Sequence, residues 1–323
     1  NSEIILEKLT LELFYSREPN FKRNFKKNGV NLKNIEFLGN LITVLFHPED
    51  LNMLYLEPGL RRRYMDIVLS QCDKKYLIAF SKYKKILKQR NALLHQIREA
   101  QFTGKNTSTL EEDLNAWDEE LIEHGSIIIA KRLIFTEFLN ENLENLYNSI
   151  ADDANRVSLD YESKIVKKII PEDNPDGDAL SSDTSKILPG KNSPSINFSS
   201  ILPRLYTDEL FNRRKRDIFQ AETTAGPHRD DLKFFLNGKN IQTSASRGEF
   251  RTLLLALKLA EIEFIKKETK KQPILLLDDV FSELDQKRQE HLLNAIKDCQ
   301  TIITTTDLQT LNNLPKGSLV IEF

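Results

Sequence analysis

Two adjacent carboxylates, Asp278 and Asp279, close an apolar run from Ile274 to Leu277. A run of that kind reads as a buried parallel strand. Carboxylates at its carboxyl end emerge where open α/β sheets bind ligands, and nucleotide hydrolases hold magnesium through an Asp placed this way. Upstream, Ser246-Arg247-Gly248-Glu249 opens a strongly apolar helical stretch. Free N–H groups and the dipole at a helix start favour a phosphate, although Ser246 also fits a plain N-cap. Ser282-Glu283-Leu284-Asp285 follows the carboxylates, with Asp285 placed to cap the next helix. Thr304-Thr305-Thr306-Asp307 ends a later strand-like run, and a hydroxyl there can bond a phosphate. Four basic runs offer contacts to nucleic-acid phosphates: Arg61 to Arg63, Lys82 to Lys85, Lys88 to Arg90, and Arg213-Arg214-Lys215-Arg216. Each also fits a solvated helix face; the last is dense. His228, in Thr224-Ala225-Gly226-Pro227-His228-Arg229-Asp230-Asp231, reads first as a structural turn residue.

The elements that must position these groups follow from periodicity and punctuation. Residues 1 to about 50 read as short strands with a turn near Asn28-Gly29, ending in Ile42 to Phe46 and the turn His47-Pro48-Glu49-Asp50. Pro58 suits the first turn of a helix. A long helix is expected from about Asp73 to Phe102, its apolar residues recurring mostly at spacings of three, four or seven. A break at Thr103 to Thr107 precedes a second long helix, with Ser108 and Glu111 as its expected capping box, reaching about Ala151. The pair predicts an antiparallel helical arm. Pro171 to Ser200, rich in Pro, Ser, Asp and Gly, reads as a mobile surface loop. Helices are then expected from about Leu205 to Ala221, Ser246 to Lys267 and Asp285 to Lys297, with a hairpin at Asn237-Gly238 and strands at Ile274 to Leu277, Gln300 to Thr305 and Ser318 to Phe323.

At 323 residues the chain can bury a sizeable core, and it predicts one to three domains. A formal net charge of -2 gives no global basic field, so any DNA contact must come from local patches. The two cysteines, Cys72 and Cys299, have neither CxxC spacing nor a His cluster, which argues against a disulfide framework or zinc site and fits a reducing cytosol. No apolar run has the length of a membrane span, and no signal peptide is visible.

TAGPHRDDL, SRGEFRTLLLALKLAE, PILLLDDVFSELD and TIITTTD, in that order, resemble the bacterial RecF family, relatives of the SMC group. VLFHPEDL, RRRYMDIVLSQ and LKQRNALL extend the resemblance over nearly the whole chain. It implies an α/β ABC-type ATPase head. Residues 1–56 and 205–323 would form its lobe I, and 57–204 an inserted helical lobe II carrying a short arm. It implies ATP and Mg2+ as cofactors, with Asp278 on the metal and Asp279 where most such heads place a catalytic Glu; the shorter side chain makes slow hydrolysis the expectation. Ser246, Gly248 and Glu249 would form the signature motif that meets ATP held by the other subunit. Asp285 would lie in the D-loop at the dimer interface, and Thr306 at the place of a switch His. The turn His47 to Asp50 stands about where relatives carry a Q-loop, without its Gln.

The resemblance further implies a cytoplasmic, ATP-dependent homodimer on DNA at single-strand gaps. It would act in recombinational repair, replication restart and the SOS response, helping RecR and RecO load RecA. A P-loop would read GxxxxGK[ST], and neither Gly104-Lys105-Asn106 nor Gly190-Lys191-Asn192 fits. With Asn1 rather than Met first, the expectation is a fragment lacking about the first sixth to fifth of the family's length. Two other readings stay open: a DNA- or partner-binding module without ATPase activity, or another SMC-like head. A metal nuclease built on Asp278 and Asp279 is weaker, since it leaves SRGEFR unexplained.

Overall fold

The computed structural model describes residues 10–16, 22–169, 198–305 and 319–321. β1 (Leu11–Ser16), β2 (Lys22–Lys27) and β3 (Val30–Leu32) form an antiparallel sheet. Asn28 and Gly29 take φ of 50° and 79°, the left-handed pair that a tight hairpin requires. The short helix α1 (Asn34–Phe37) leads into β4 (Thr43–Phe46), a 3-10 turn at Pro48–Leu51 and α2 (Asn52–Tyr55). Three helices follow: α3 (Pro58–Cys72), α4 (Lys74–Phe102) and α5 (Ser108–Ala151). Then come β5 (Val157–Glu162), α6 (Phe198–Gln220), β6 (Asp231–Leu236), β7 (Lys239–Asn240) and α7 (Ile241–Ser244). The chain continues through α8 (Arg247–Thr269), β8 (Ile274–Asp278), α9 (Gln286–Ile296) and β9 (Thr301–Thr304).

The sheet that positions the carboxylates is parallel, in the order β4-β8-β9. Val44, Phe46, Leu275 and Leu277 are buried on one of its faces, in one core with α8. α8 is apolar almost all round, as a helix enclosed by protein must be. It lies between that sheet and α5, whose Phe135 and Phe138 rings meet Phe264 at 4.6 and 5.2 Å between centroids. The opposite face of the sheet carries a row in register, Leu45, Leu276 and Ile302, of which Leu45 and Ile302 are about half exposed. Among the described residues, β9 pairs with β8 alone.

The arm is present. α4 and α5 pack together, and Leu93, Leu94 and Ile97 of α4 form a small core with Leu114 of α5 and Ile218 of α6. α6 thus packs with the arm. It begins at Phe198, ahead of the expected Leu205, and accommodates Pro203 within its second turn. The loop expected over 171–200 lies outside the described residues as far as 197, and the expected last strand lies largely outside them.

The expected capping box on Ser108 is not formed. Thr107 is the residue at the N-cap, and its hydroxyl bonds the Glu111 carboxylate at 2.8 Å, while Ser108 bonds back to Asn106. β5 was not expected from the sequence. Its alternating Val157, Leu159 and Tyr161 face the core, and it pairs antiparallel with β6 from Val157↔Leu236 to Glu162↔Asp231. β6 and β7 are joined by the expected hairpin turn, with Asn237 and Gly238 at φ of 52° and 76°.

Candidate nucleotide site and its supports

Parallel pairing brings the carboxyl ends of β4, β8 and β9 side by side, and each contributes a polar group. Asp278 ends β8 and is exposed. The Thr304 hydroxyl, from β9, donates to Asp278 Oδ1 at 2.7 Å. His47, just past β4, places Nε2 at 3.4 Å from Asp278 Oδ2. His47 Nδ1 accepts the Glu49 N–H at 3.1 Å, so in the neutral ring Nε2 carries the proton and faces the carboxylate. Asp279 has φ of 51°, a left-handed conformation that Asp tolerates better than most residues. Its N–H reaches the Thr304 carbonyl at 3.1 Å. Its Oδ1 is buried without a hydrogen-bond partner among the described residues. A buried acceptor left unpaired is costly, so the arrangement fits a water or ligand donor at that atom.

The SRGEFR segment forms the start of α8 as a complete capping box. Ser246 Oγ accepts the Glu249 N–H at 3.3 Å, and Glu249 Oε2 accepts the Ser246 N–H at 2.6 Å. The backbone hydrogen bond from Ser246 holds the Glu249 carboxyl below its ordinary range. Ser246 itself is exposed, so a ligand can reach its hydroxyl, and its side chain also hydrogen-bonds the Glu249 carboxyl. Gly248 offers its carbonyl to the Thr252 hydroxyl at 3.0 Å.

Asp285 caps α9 by accepting the Arg288 N–H at 2.9 Å and also pairs with the Arg288 guanidinium. Arg288, which the sequence did not single out, donates to Thr252 Oγ1 from Nε at 3.0 Å and from Nη2 at 2.7 Å. It ties α9 to the first turns of α8. A second tie runs from the turn after β4. The buried Lys258 ammonium lies 3.2 Å from Asp50 and 3.4 Å from Glu261. Burial opposes its charge, but Glu261 and Asp50 hold it above its ordinary range. Within one chain no hydrogen bond or ion pair joins Ser246 or Glu249 to Asp278 or Asp279 among the described residues. Thr306 lies outside those residues.

A groove of about 950 Å³ opens elsewhere, against Thr43 at the start of β4 and the side chains of Arg62, Tyr83 and His228. It is at the other end of that strand from Asp278.

The segment from Thr223 to Asp231 is a buried buckle between arm and head. Arg61 of α3 grips Asp231 with two bonds of 2.7 and 2.9 Å, and Arg62 reaches the Asp230 carbonyl at 2.8 Å. Arg132 of α5 donates to the Pro227 carbonyl at 2.7 Å. Gly226, at φ of 134°, leaves no room for a Cβ, which would stand 2.2 Å from the Tyr206 hydroxyl. His228 Nε2 meets the Thr223 carbonyl at 3.0 Å and Nδ1 the Tyr83 hydroxyl at 2.7 Å, so the ring is a neutral structural link.

Two groups of this buckle titrate against each other. Burial pushes the Asp230 carboxyl up to about 6 and the His228 imidazole down to about 4. Between those values the folded state holds a proton on Asp230 that the unfolded chain has released, so that contribution to stability falls as pH rises. The unfolded chain holds a proton on His228 that the folded state has not taken up, so that contribution rises over the same window. The two slopes oppose one another. His228→Asn should remove the rising one, leaving stability that declines more steeply from pH 4 to pH 6 than in the parent. Denaturant midpoints measured across that range would show it, and parallel pH profiles for parent and variant would refute it.

Of the basic runs, Arg61 and Arg90 are buried in ion pairs and are not available to DNA. The run in α6 is divided by the helix. Arg214 turns to the arm, donating to Asn115 Oδ1 at 2.5 Å and the Glu111 carbonyl at 2.7 Å. Arg213 pairs with Glu209, while Lys215 and Arg216 are exposed.

A parallel sheet with a carboxylate-tipped central strand, a capped helix entering beneath it and an appended helical arm defines an ABC-type ATPase head. No family model matches the chain. It is 38% identical over 303 residues to the DNA replication and repair protein RecF of Bacillus mycoides, covering 92% of this chain and 72% of that protein, and equally so to that of Bacillus cytotoxicus. A solved structure of the recombination mediator protein RecF with ATP matches with a TM-score of 0.74 at 29% identity, covering 94% of this chain and 73% of that one. A second solved structure, of the recombination mediator protein RecF described as RecF-ATPrS in the RecFOR pathway, gives the same TM-score at 30% identity, covering 93% and 71%. The chain belongs to the RecF family of DNA replication and repair proteins.

Proposed function

We propose that this chain supplies the Walker B, D-loop and signature elements of an ATP-dependent, DNA-binding clamp that closes by pairing with a second copy. The observation that carries the proposal is the convergence at the strand ends: an exposed Asp278 carboxylate beside an Asp279 oxygen that is buried and unpaired. Asp278, steadied by Thr304 and His47, would hold Mg2+, which when bound neutralises charge on the β- and γ-phosphate oxygens. Asp279 Oδ1 would accept a hydrogen bond from the attacking water and orient it. Ser246, Gly248 and Glu249 would meet the γ-phosphate on the partner copy: Ser246 through its hydroxyl, Gly248 by its lack of a side chain, and Glu249 by holding the helix start in place. Asp285 would fix the D-loop between copies, and Thr306 would stand at the switch position.

The same reading assigns residues 1–56 and 205–323 to lobe I and 57–204 to lobe II. It places the clamp in the cytoplasm, at single-strand gaps, helping RecR and RecO load RecA. Among the described residues no helix is long and apolar enough to cross a membrane. The 323 residues contain no GxxxxGK[ST], the pattern of a phosphate-binding loop. Among the described residues β9 pairs with β8 alone, and its other edge with the apolar row Leu45, Leu276 and Ile302 suits the strand and helix that flank such a loop.

The test is Ser246→Arg in this chain joined to the Walker A segment of a RecF relative. ATP binding by the monomer should persist, and ATP-dependent dimerisation should be lost, because a bulky cation replaces the hydroxyl that approaches the phosphate. If Ser246 only caps α8, the loss is instead about 0.5–2 kcal/mol of stability, and the folded protein still dimerises. Thermal melting beside ATP-dependent light scattering separates the outcomes; a folded, fully dimerising variant defeats the proposal.

A further inference from the structure

Four cations from three separate parts of the chain meet at the outer side of the buckle. Lys164, which follows β5, donates to the Thr224 carbonyl at 3.1 Å. Arg229 lies five residues on from Thr224, with its Nε at 3.3 Å from the Thr223 carbonyl. Thr224 is seated on α6 by Asp217, whose Oδ1 accepts its N–H at 3.0 Å and its hydroxyl at 2.7 Å. Arg213 is one helical turn before Asp217, and Arg216 is adjacent to it. Lys164, Arg216 and Arg229 are exposed, and Arg213 is partly so.

Carboxylates offset two of the four cations and leave the other two uncompensated. Asp217 is buried against Arg90, Glu209 pairs with Arg213 and Glu222 with Arg229. Lys164 and Arg216 have no carboxylate partner among the described residues. Burial first, then Arg213, Arg216 and Arg229, lower the pKa of the Lys164 ammonium, which marks a positive field at this surface. At 100° per residue, Glu209, Arg213, Arg216 and Gln220 share one side of α6. Lys215 falls on the other, between the exposed Phe211 and Phe219. From Glu209 to Gln220 the side bearing the arginines carries no large apolar residue, while Phe198, Leu202 and Leu205 on the same side pack against the core, which leaves a polar exposed stretch suited to a polyanion.

We infer that Lys164, Arg213, Arg216 and Arg229 form one face that binds the phosphates of duplex DNA, with the Thr223–Arg229 turn as its floor. The inference rests on the proposed clamp and deepens it. The four-residue basic run of α6 does not act as a unit: two of its members join two cations from elsewhere, and Lys215 is left out. Contacts of this kind position the protein on DNA without reading sequence. They also explain an exposed arginine in a turn whose neighbours, His228 and Asp230, are committed to the interior.

The experiment measures binding of the 323-residue chain to two short duplexes of unrelated sequence over a series of salt concentrations. Arg216→Gln, Lys164→Gln, Arg229→Gln and the triple variant should each bind both duplexes more weakly. The slope of log affinity against log salt should become shallower by roughly 0.9 for each cation removed. Lys215→Gln should keep the parental slope. Lys164 and Arg229 hold the turn as well, so melting curves accompany them. Arg216 makes no hydrogen bond among the described residues, and Arg216→Gln against Lys215→Gln decides the matter if the others unfold. A parent that binds while Arg216→Gln and the folded variants keep its slope overturns this face and leaves the clamp reading standing. A parent that binds neither duplex at low salt also overturns this face, because its four cations lie on one copy and need no nucleotide, while the ATP-dependent closure is tested separately by Ser246→Arg.

Discussion

Asparagine at position 279 should slow ATP hydrolysis by about 10²–10⁴-fold while leaving ATP binding and ATP-dependent pairing in place. The host is again this chain joined to a Walker A segment. The substitution is conservative where the structure is demanding. Asn accepts the left-handed backbone at φ of 51° as readily as Asp does, and the N–H bond to the Thr304 carbonyl does not involve the side chain. What changes is the buried Oδ1, which loses the charge that orients a water. ATP should then persist between two heads, and the variant should accumulate as a dimer on size-exclusion chromatography. Phosphate release at the parental rate would remove Asp279 from that role. Asp278→Asn should instead weaken nucleotide binding itself, since the Thr304 and His47 contacts converge on that carboxylate.

Arg90→Ala should destabilise the protein by about 3–5 kcal/mol, the largest structural effect expected of any arginine here. Its guanidinium is fully buried where α4, α5 and α6 meet. It bonds Asp118 Oδ1 at 2.6 Å, Asp217 Oδ2 at 2.8 Å and the Thr223 hydroxyl at 2.8 Å. Alanine leaves a cavity, Asp217 without its cation and Asp118 with only the more distant Arg214, at 3.7 Å. Burial already raises the Asp118 carboxyl, and Arg90 is the main influence opposing it. Without Arg90 the Asp118 carboxyl should rise further, so the folded state holds a proton that the unfolded chain releases and the variant should lose stability with rising pH more steeply than the parent. Arg90→Met combined with Asp118→Asn and Asp217→Asn should recover much of the loss, because it removes the cation and both carboxylate charges together and leaves no buried charge unpaired. Urea midpoints at two pH values would check both points. A loss below about 1 kcal/mol would mean that water reaches this cluster.

The element ends that carry the candidate residues were legible because their signals are local. An apolar strand ending on Asp278 and Asp279, and Ser246 as the N-cap of an apolar helix, are patterns within one element. Misjudged or unseen groups depend on pairing between elements. Thr304 and His47 reach Asp278 only because β9 and β4 flank β8 in parallel register. Arg288 looks like one more charged residue on a helix until Thr252 is placed beneath it. The arginine run of α6 read as one patch because sequence hides the 100° step that sends Arg214 to the arm and Lys215 away from Arg216. β5 was missed for a different reason. Its alternation at Val157, Leu159 and Tyr161 was readable, but it is short and stands between a long helix and a polar segment. The cap of α5 was misplaced by one residue, since Thr107 and Ser108 are both suitable and only the backbone decides between them.

α5 is one uninterrupted helix of 44 residues, about 66 Å long at 1.5 Å per residue. Its far end builds the arm against α4, and its near end lies on α8 through Phe135 and Phe138. Such a rod works as the needle of a gauge. From Phe138 to the tip is roughly 45 Å, so a tilt of about 10° at α8 moves the tip by about 8 Å. A small adjustment beneath the nucleotide is thereby magnified at the periphery without any hinge along the way. By the same gearing, a load applied at the tip is felt at Phe264, in the last turns of α8, the end opposite its Ser246 cap.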